Sequence, residues 1–140
     1  MLARTDLIPD LEKLWSDTAL APALESARRG FDLSPYGPHR YYFQFFVGLA
    51  YFVTRNQVEA ARWARLSLRD SPGFTSAHRL LIAALVELGQ IEEARSVARQ
   101  MMICEPHFRL SSYQTGRAAI VDPDLRNSLL SGMRIAGVPD

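Results

Sequence analysis

Lysine and cysteine are almost missing from this chain: of its 140 residues only Lys13 is a lysine and only Cys104 a cysteine. A single thiol forms no disulfide within the chain, which fits a reducing compartment. Beside Glu105 and Pro106, Cys104 reads as a semi-buried structural thiol. An excess of charge of either sign is missing as well. Lys and Arg number 16 against 15 Asp and Glu, a net of +1, so there is no excess of positive charge for tracking nucleic-acid phosphates. No run of about 18 uncharged apolar residues occurs. Asp6, Asp10, Glu12 and Asp17 interrupt the apolar stretches near the start, which argues against a secretory signal as well as a membrane span. The expectation is a cytoplasmic protein with neither nucleic acid nor membrane as partner.

Motifs of chemistry are missing too. The sequence has no GxSxG elbow, no phosphate loop and no GxGxxG. His39, His78 and His107 stand far apart with no HExxH-type spacing, so no metal and no cofactor is expected. Glu92 and Glu93 are neighbours on a helix and do not face one another, which disqualifies them as a carboxylate pair. They suit a first turn, where acids favour the helix dipole. No catalytic residue is assigned.

What the chain does hold is a repeat. Its apolar content of 48% and charged content of 22% are those of a globular domain, here one domain over residues 1–140. The interval from Pro72 to Pro106 is about 34 residues, a period that belongs to stacked helix–turn–helix units. At that offset Glu59 pairs with Glu93, Ala60 with Ala94, Ala64 with Ala98, Arg65 with Arg99 and Phe74 with Phe108. Residues 41–55 are apolar nearly all round. Their length, and the Leu- and Ala-rich copy at 75–89, predict helices rather than strands. Residues 57–70 are amphipathic, with Ala60, Ala61, Trp63, Ala64, Ser67 and Leu68 inside and Glu59, Arg62, Arg65 and Arg69 outside. Residues 91–103 repeat the pattern with Ala94, Val97, Ala98 and Met101. Links at Arg55-Asn56 and Gly89-Gln90 are too short for anything but antiparallel pairs, and Gly89 suits a left-handed helix end.

The flanks are less regular. Residues 1–40 predict an irregular pair: a stripe of Leu7, Ile8, Leu11, Leu14 and Trp15 after Pro9, then a helix with Leu20, Ala23, Leu24, Ala27 and Phe31 inside, closed by Pro35. Tyr36, Gly37 and Pro38 look like an insertion. Residues 109–140 form the C-terminal portion. Leu110, Tyr113 and Ile120 suggest a short helix, and Asp122-Pro123-Asp124 reads as N-cap, first helical proline and first-turn acid. The helix that follows buries Leu125, Leu129, Met133 and Ala136, and ends at Gly137 with Pro139 beyond.

In its residues 41–72 and 75–106 the chain resembles the tetratricopeptide repeat. Gly48 and Ala60 stand at the small positions of the first unit, Ala94 at that of the second, and Tyr51, Leu85 and Gly89 fall into the pattern with the two prolines. Gln44 and His78 depart from the usual aromatic, and Ile82 from a small residue, which weakens the second helix contact. The resemblance implies an all-α, tetratricopeptide-like α-solenoid of antiparallel helix pairs with a C-terminal capping helix. The stretch from about residue 20 onward is also similar to the C-terminal repeat regions of bacterial cyclase-like or TolB-like signalling proteins. The residues that carry this are Arg40-Tyr41-Tyr42-Phe43, Ala61-Arg62-Trp63-Ala64-Arg65, Leu80 to Leu85, and Gly132 to Pro139. No cyclase activity comes with it, because none of a cyclase module's residues lie here.

The resemblance also implies that the first helix of each pair lines a concave face. The candidate partner-binding residues are Tyr42, Phe45, Leu49, Phe52, Arg79 and Val86, with Val53, Ser76, Ala83 and Glu87 alongside. Three arrangements fit so apolar a run: a groove for a peptide or neighbouring domain, a surface for a second copy, or a core covered by the irregular N-terminal segment. Arg62, Arg65 and Arg69 read as a solvated face partly neutralised by Glu59. The expected function is non-catalytic binding of a protein or peptide partner, with a homodimer as one form of it. The alternative is a regulatory or sensor segment of a larger bacterial adenylate-cyclase-like or transcriptional signalling protein.

Overall fold

The computed structural model describes residues 36–115 and 123–140, together with residues 25, 28–30, 32 and 33. Six helices follow in order: α1 (Arg40–Val53), α2 (Gln57–Asp70), α3 (Thr75–Glu87), α4 (Ile91–Cys104), the short α5 (Leu110–Thr115) and α6 (Pro123–Ile135). The fold is all-α, with no strand among the described residues. Glu25, residues 28–30 and residues 32 and 33 are also helical. The stripe expected at Leu7 to Trp15, the inner face from Leu20 to Phe31, Ile120 and the Asp122 cap lie outside the described residues.

The aromatic run is a helix because most of its circumference is used in packing. Eight of the 14 residues of α1 are buried. Gly48 lets α2 come close: a Cβ there would lie 3.1 Å from the Trp63 Cβ, 3.1 Å from Leu80 Cδ2 and 3.2 Å from the Ala60 carbonyl. The α1–α2 pair is antiparallel, joined by residues 54–56 at one end. At the other end the Arg40 guanidinium donates twice to Asp70, at 2.5 and 2.8 Å. Two buried polar side chains find partners across the same pair. Ser67 donates to the Tyr41 carbonyl at 2.8 Å, and the Gln44 amide donates to Leu66 O and Asp70 Oδ2. Each bond removes the penalty of an unsatisfied buried group, about 1–3 kcal/mol.

The period seen in the side chains is also a period of the backbone. At the end of α1, Thr54, Arg55 and Asn56 donate to Ala50, Phe52 and Tyr51; at the end of α3, Leu88, Gly89 and Gln90 donate to Ala84, Val86 and Leu85. Every donor and acceptor is displaced by the same interval that separates Pro72 from Pro106. Arg55 and Gly89 share the left-handed conformation that such a cap demands, with φ 71 and 79. The same cap ends α6, where Gly137 has φ 95. At the opposite ends, Ser71 and Phe74 bond as Glu105 and Phe108 do one repeat later.

Helix α3 is the centre of the molecule. It packs extensively on α2, α4 and α6 and more lightly on α1. Leu80, Leu81, Ile82, Ala83, Ala84 and Leu85 are all at most 3% exposed. α6 buries Leu125, Leu129 and Met133, with Ala136 just past its end, as its periodicity predicts, and begins at Pro123. Its seat is more specific than an end cap: it lies antiparallel along α3, with Gly132 against Ala83. A Cβ on Gly132 would lie only 2.7 Å from the Ala83 Cα. The polypeptide beyond α6 is tied back by the Leu110 amide, which donates to the Pro139 carbonyl at 2.9 Å.

Arg55 holds a left-handed backbone that costs a non-glycine residue about 1–2 kcal/mol, against about 0.5–1 kcal/mol of added unfolded-state entropy for glycine. Arg55→Gly is therefore expected to raise stability by up to about 1 kcal/mol and Gly89→Ala to lower it by a similar amount. Paired urea melts of the two variants against wild type check both signs.

Candidate functional site

The six residues expected to form a binding face fall into different environments. Phe45, Leu49 and Phe52 are at most 7% exposed and belong to the continuous core. Val86 is half-buried and packs on that core. Tyr42, 47% exposed, is the one that opens to solvent among them. Ala83, expected on the same face, is fully covered and lies against α6. Phe52 meets Leu125 of α6 across a pocket of about 250 Å³ that also touches Val53, Gln57 and Glu87. Gln57 spans this junction, its amide donating to Glu87 at 2.8 Å and to the Phe52 carbonyl at 3.4 Å.

Arg79 is drawn inward rather than offered to a partner. Its side chain is only 12% exposed. The guanidinium stacks over Phe108 (4.8 Å) and Tyr113 (5.2 Å) and reaches Glu105 at 3.1 Å. Thr75 also donates to the same Glu105 oxygen. One repeat earlier, Phe45 stands in the place of Arg79 and Phe74 in that of Phe108, and those two rings pack at 5.2 Å. A guanidinium thus occupies in the second unit the place that a ring occupies in the first. Burial works against its charge, and Glu105 works for it. His78 beside it is 3% exposed. Burial first, and the Arg79 charge next, hold its pKa below the ordinary histidine value.

Around Tyr42 the rings form one cluster. Tyr42 packs edge-on to Phe46 at 5.0 Å, Phe46 to Phe45 at 5.2 Å, and Phe74 to Tyr41 at 4.9 Å and Tyr42 at 6.0 Å. Tyr41, Phe46 and Phe74 are half-buried. Together they form an aromatic shelf where the start of α1 meets the turn before α3. Phe46 and Phe74 were not among the residues expected on the binding face, although Phe74 was read as the repeat counterpart of Phe108. The spacing of Tyr42 and Phe46, one helical turn apart, is the signal that would have found the first. Phe74 reaches the cluster through tertiary packing alone.

The basic face of α2 is engaged as expected, and more widely. Arg62 pairs with Glu59 at 2.6 Å, while Arg65 crosses to Glu93 on α4 at 2.5 Å. Cys104 is exposed, contrary to a semi-buried position, because with Ile103 it falls on the outer side of the last turn of α4 while Met101 takes the inner side. Among the described residues no helix is long and apolar enough to cross a membrane.

Removing the Arg79 head while leaving its surroundings should cost about 2–4 kcal/mol, since the stacked rings lose their cover and Glu105 its partner. Arg79→Phe, which copies the ring pair of the first unit, is expected to cost less than Arg79→Ala in thermal melts. His78 gives a pH signature. Above about 6.5 the ring is neutral folded and unfolded; below that value the unfolded chain takes up a proton that the folded one resists. Stability should therefore fall as pH drops from about 7 to about 5.5, and His78→Gln should flatten that fall in melts across the same window. Comparison with protein-family models, with curated proteins and with solved structures finds no match for this chain.

Proposed function

We propose that this protein is a tetratricopeptide-like helical stack that acts as a non-catalytic protein-interaction module, and that its contact face is the aromatic shelf of Tyr42 and Phe46 backed by Tyr41 and Phe74. The common recurrence of side chains and of helix-end hydrogen bonds supports the repeat architecture. The observation that carries the functional reading is Tyr42, about half exposed on a rigid ring cluster. A large ring with few rotamers and a fixed backing loses little entropy on binding, which is why aromatic side chains dominate interface energetics. This face lies at the start of α1, whereas α6 covers α3 and reaches the far end of α1 at Phe52. Peptides or domains that present an apolar side chain to the rings are the partner class this favours.

The test is a displayed peptide library panned on the whole protein, with Tyr42→Ala and Phe46→Ala as counter-targets. Truncating a central aromatic commonly costs about 2 kcal/mol or more, so peptides enriched on wild type should bind either variant at least about tenfold more weakly. The exposed Tyr42→Ala should do so at unchanged melting temperature, while the half-buried Phe46→Ala, which also loses core packing, is compared at a temperature where its circular dichroism shows it folded. Binders indifferent to both substitutions would move the contact face elsewhere.

A further inference from the structure

The face that the repeat resemblance assigns to binding is not empty, because α6 lies in it. Of the residues expected there, Ala83 touches Gly132, while Phe52, Val53 and Glu87 meet Asp124, Leu125 and Ser128 at the first turns of α6. A helix of the chain itself thus occupies the groove along α3, seated by Leu125, Leu129, Leu130 and Met133. The fit is loose at three points. A pocket of about 250 Å³ opens beside the start of α6, with Ser128 and Gln57 in its lining. A groove of about 600 Å³ runs beside its end, at Ala136 and Gly137. The Nε of Arg126 is buried without a hydrogen-bond partner, which costs about 1–3 kcal/mol.

We infer that the groove along α3 is a docking surface for an amphipathic helix of another protein, and that α6 is its resident, displaceable occupant. The seat itself specifies the incoming helix. It carries apolar side chains where Leu125, Leu129 and Met133 stand, and glycine opposite Ala83, where a Cβ would lie 2.7 Å from the Cα. Such a helix dries the same strip of α3 that α6 dries, so the apolar burial cancels in the exchange. What remains is a difference of two quantities. In favour of α6 is its tether, an effective concentration on the order of millimolar. Against it stand the misfits. A partner with a neutral side chain in place of Arg126, and larger ones in place of Ser128 and Ala136, is free of them. This face is separate from the Tyr42 shelf, and either reading can fail without the other.

Two measurements on the full chain test this. Under native conditions the α6 amides should exchange hydrogen at least about tenfold faster than those of α3 from Leu80 to Leu85. A fluorescent peptide of residues 123–138 should bind the Gly132→Leu chain, whose own α6 is lifted off Ala83, at least about tenfold more tightly than wild type. The same peptide carrying Arg126→Met should gain at least about fivefold, and carrying Gly132→Leu it should lose its binding. Tyr42→Ala in the chain should change none of these affinities. Exchange of α6 as slow as that of α3 overturns the inference, whether or not the Gly132→Leu chain folds. So does peptide binding indifferent to Gly132→Leu in the chain, or binding kept by the Gly132→Leu peptide. A wild-type dimer in light scattering that the peptide dissolves overturns it too, because the occupant would then be the α6 of a second copy.

Discussion

Helix α3 has no side open to water between Leu80 and Leu85, and the rest of the molecule is arranged to keep it so. Four helices share the work: α2 and α4 as its sequence neighbours, α1 more lightly, and α6 from far along the chain. Burying its three leucines and one isoleucine alone contributes on the order of 6–12 kcal/mol of transfer free energy. That is as large as the whole net stability of an ordinary domain, about 5–15 kcal/mol. The small residues around it follow from the same demand. Gly48 and Ala60 bring α1 and α2 close enough to present one continuous surface, and Gly132 lets the backbone of α6 touch Ala83.

The two units solve one packing problem with different chemistry. In the first, Phe45, Phe74 and Tyr41 close the turn with rings; in the second, Arg79 lies over the paired rings of Phe108 and Tyr113 and is neutralised by Glu105. A guanidinium stacks almost as a ring does and adds directed hydrogen bonds. The exchange makes the second turn dependent on a carboxylate, whereas the first needs only apolar contact. The exposed remainder of the first cluster, at Tyr42 and Phe46, has no counterpart in the second.

Much of this was legible in the order of the residues. The helices α2 and α4, the antiparallel pairing, the left-handed cap at Gly89 and the inner face of α6 all follow from period, capping and loop length. What escaped has a common cause. Whether Phe45, Leu49 and Phe52 face a groove or a core depends on which distant segment lies over them, and local periodicity carries no information about that. Arg79 looks like a surface arginine because its rings, Phe108 and Tyr113, come from beyond the whole of α4. Arg55 gives no hint of a positive φ, because glycine is the usual mark of that conformation and here the hydrogen-bond pattern imposes it on an arginine. The seat of α6 turns on Gly132, which in isolation reads as a weak helix residue rather than a point of closest approach.

That seat sets an order of events during synthesis. Residues 40–104 can pair their helices as they emerge, since each contact is with the next element along. The side of α3 at Ala83 stays wet until α4 and α5 have both been made and Gly132 arrives. Through that interval a strip of leucine and alanine is uncovered on a helix that is otherwise packed, the kind of transient apolar surface that chaperones hold and that crowded chains stick through. A helix made late is the one that dries a helix made early.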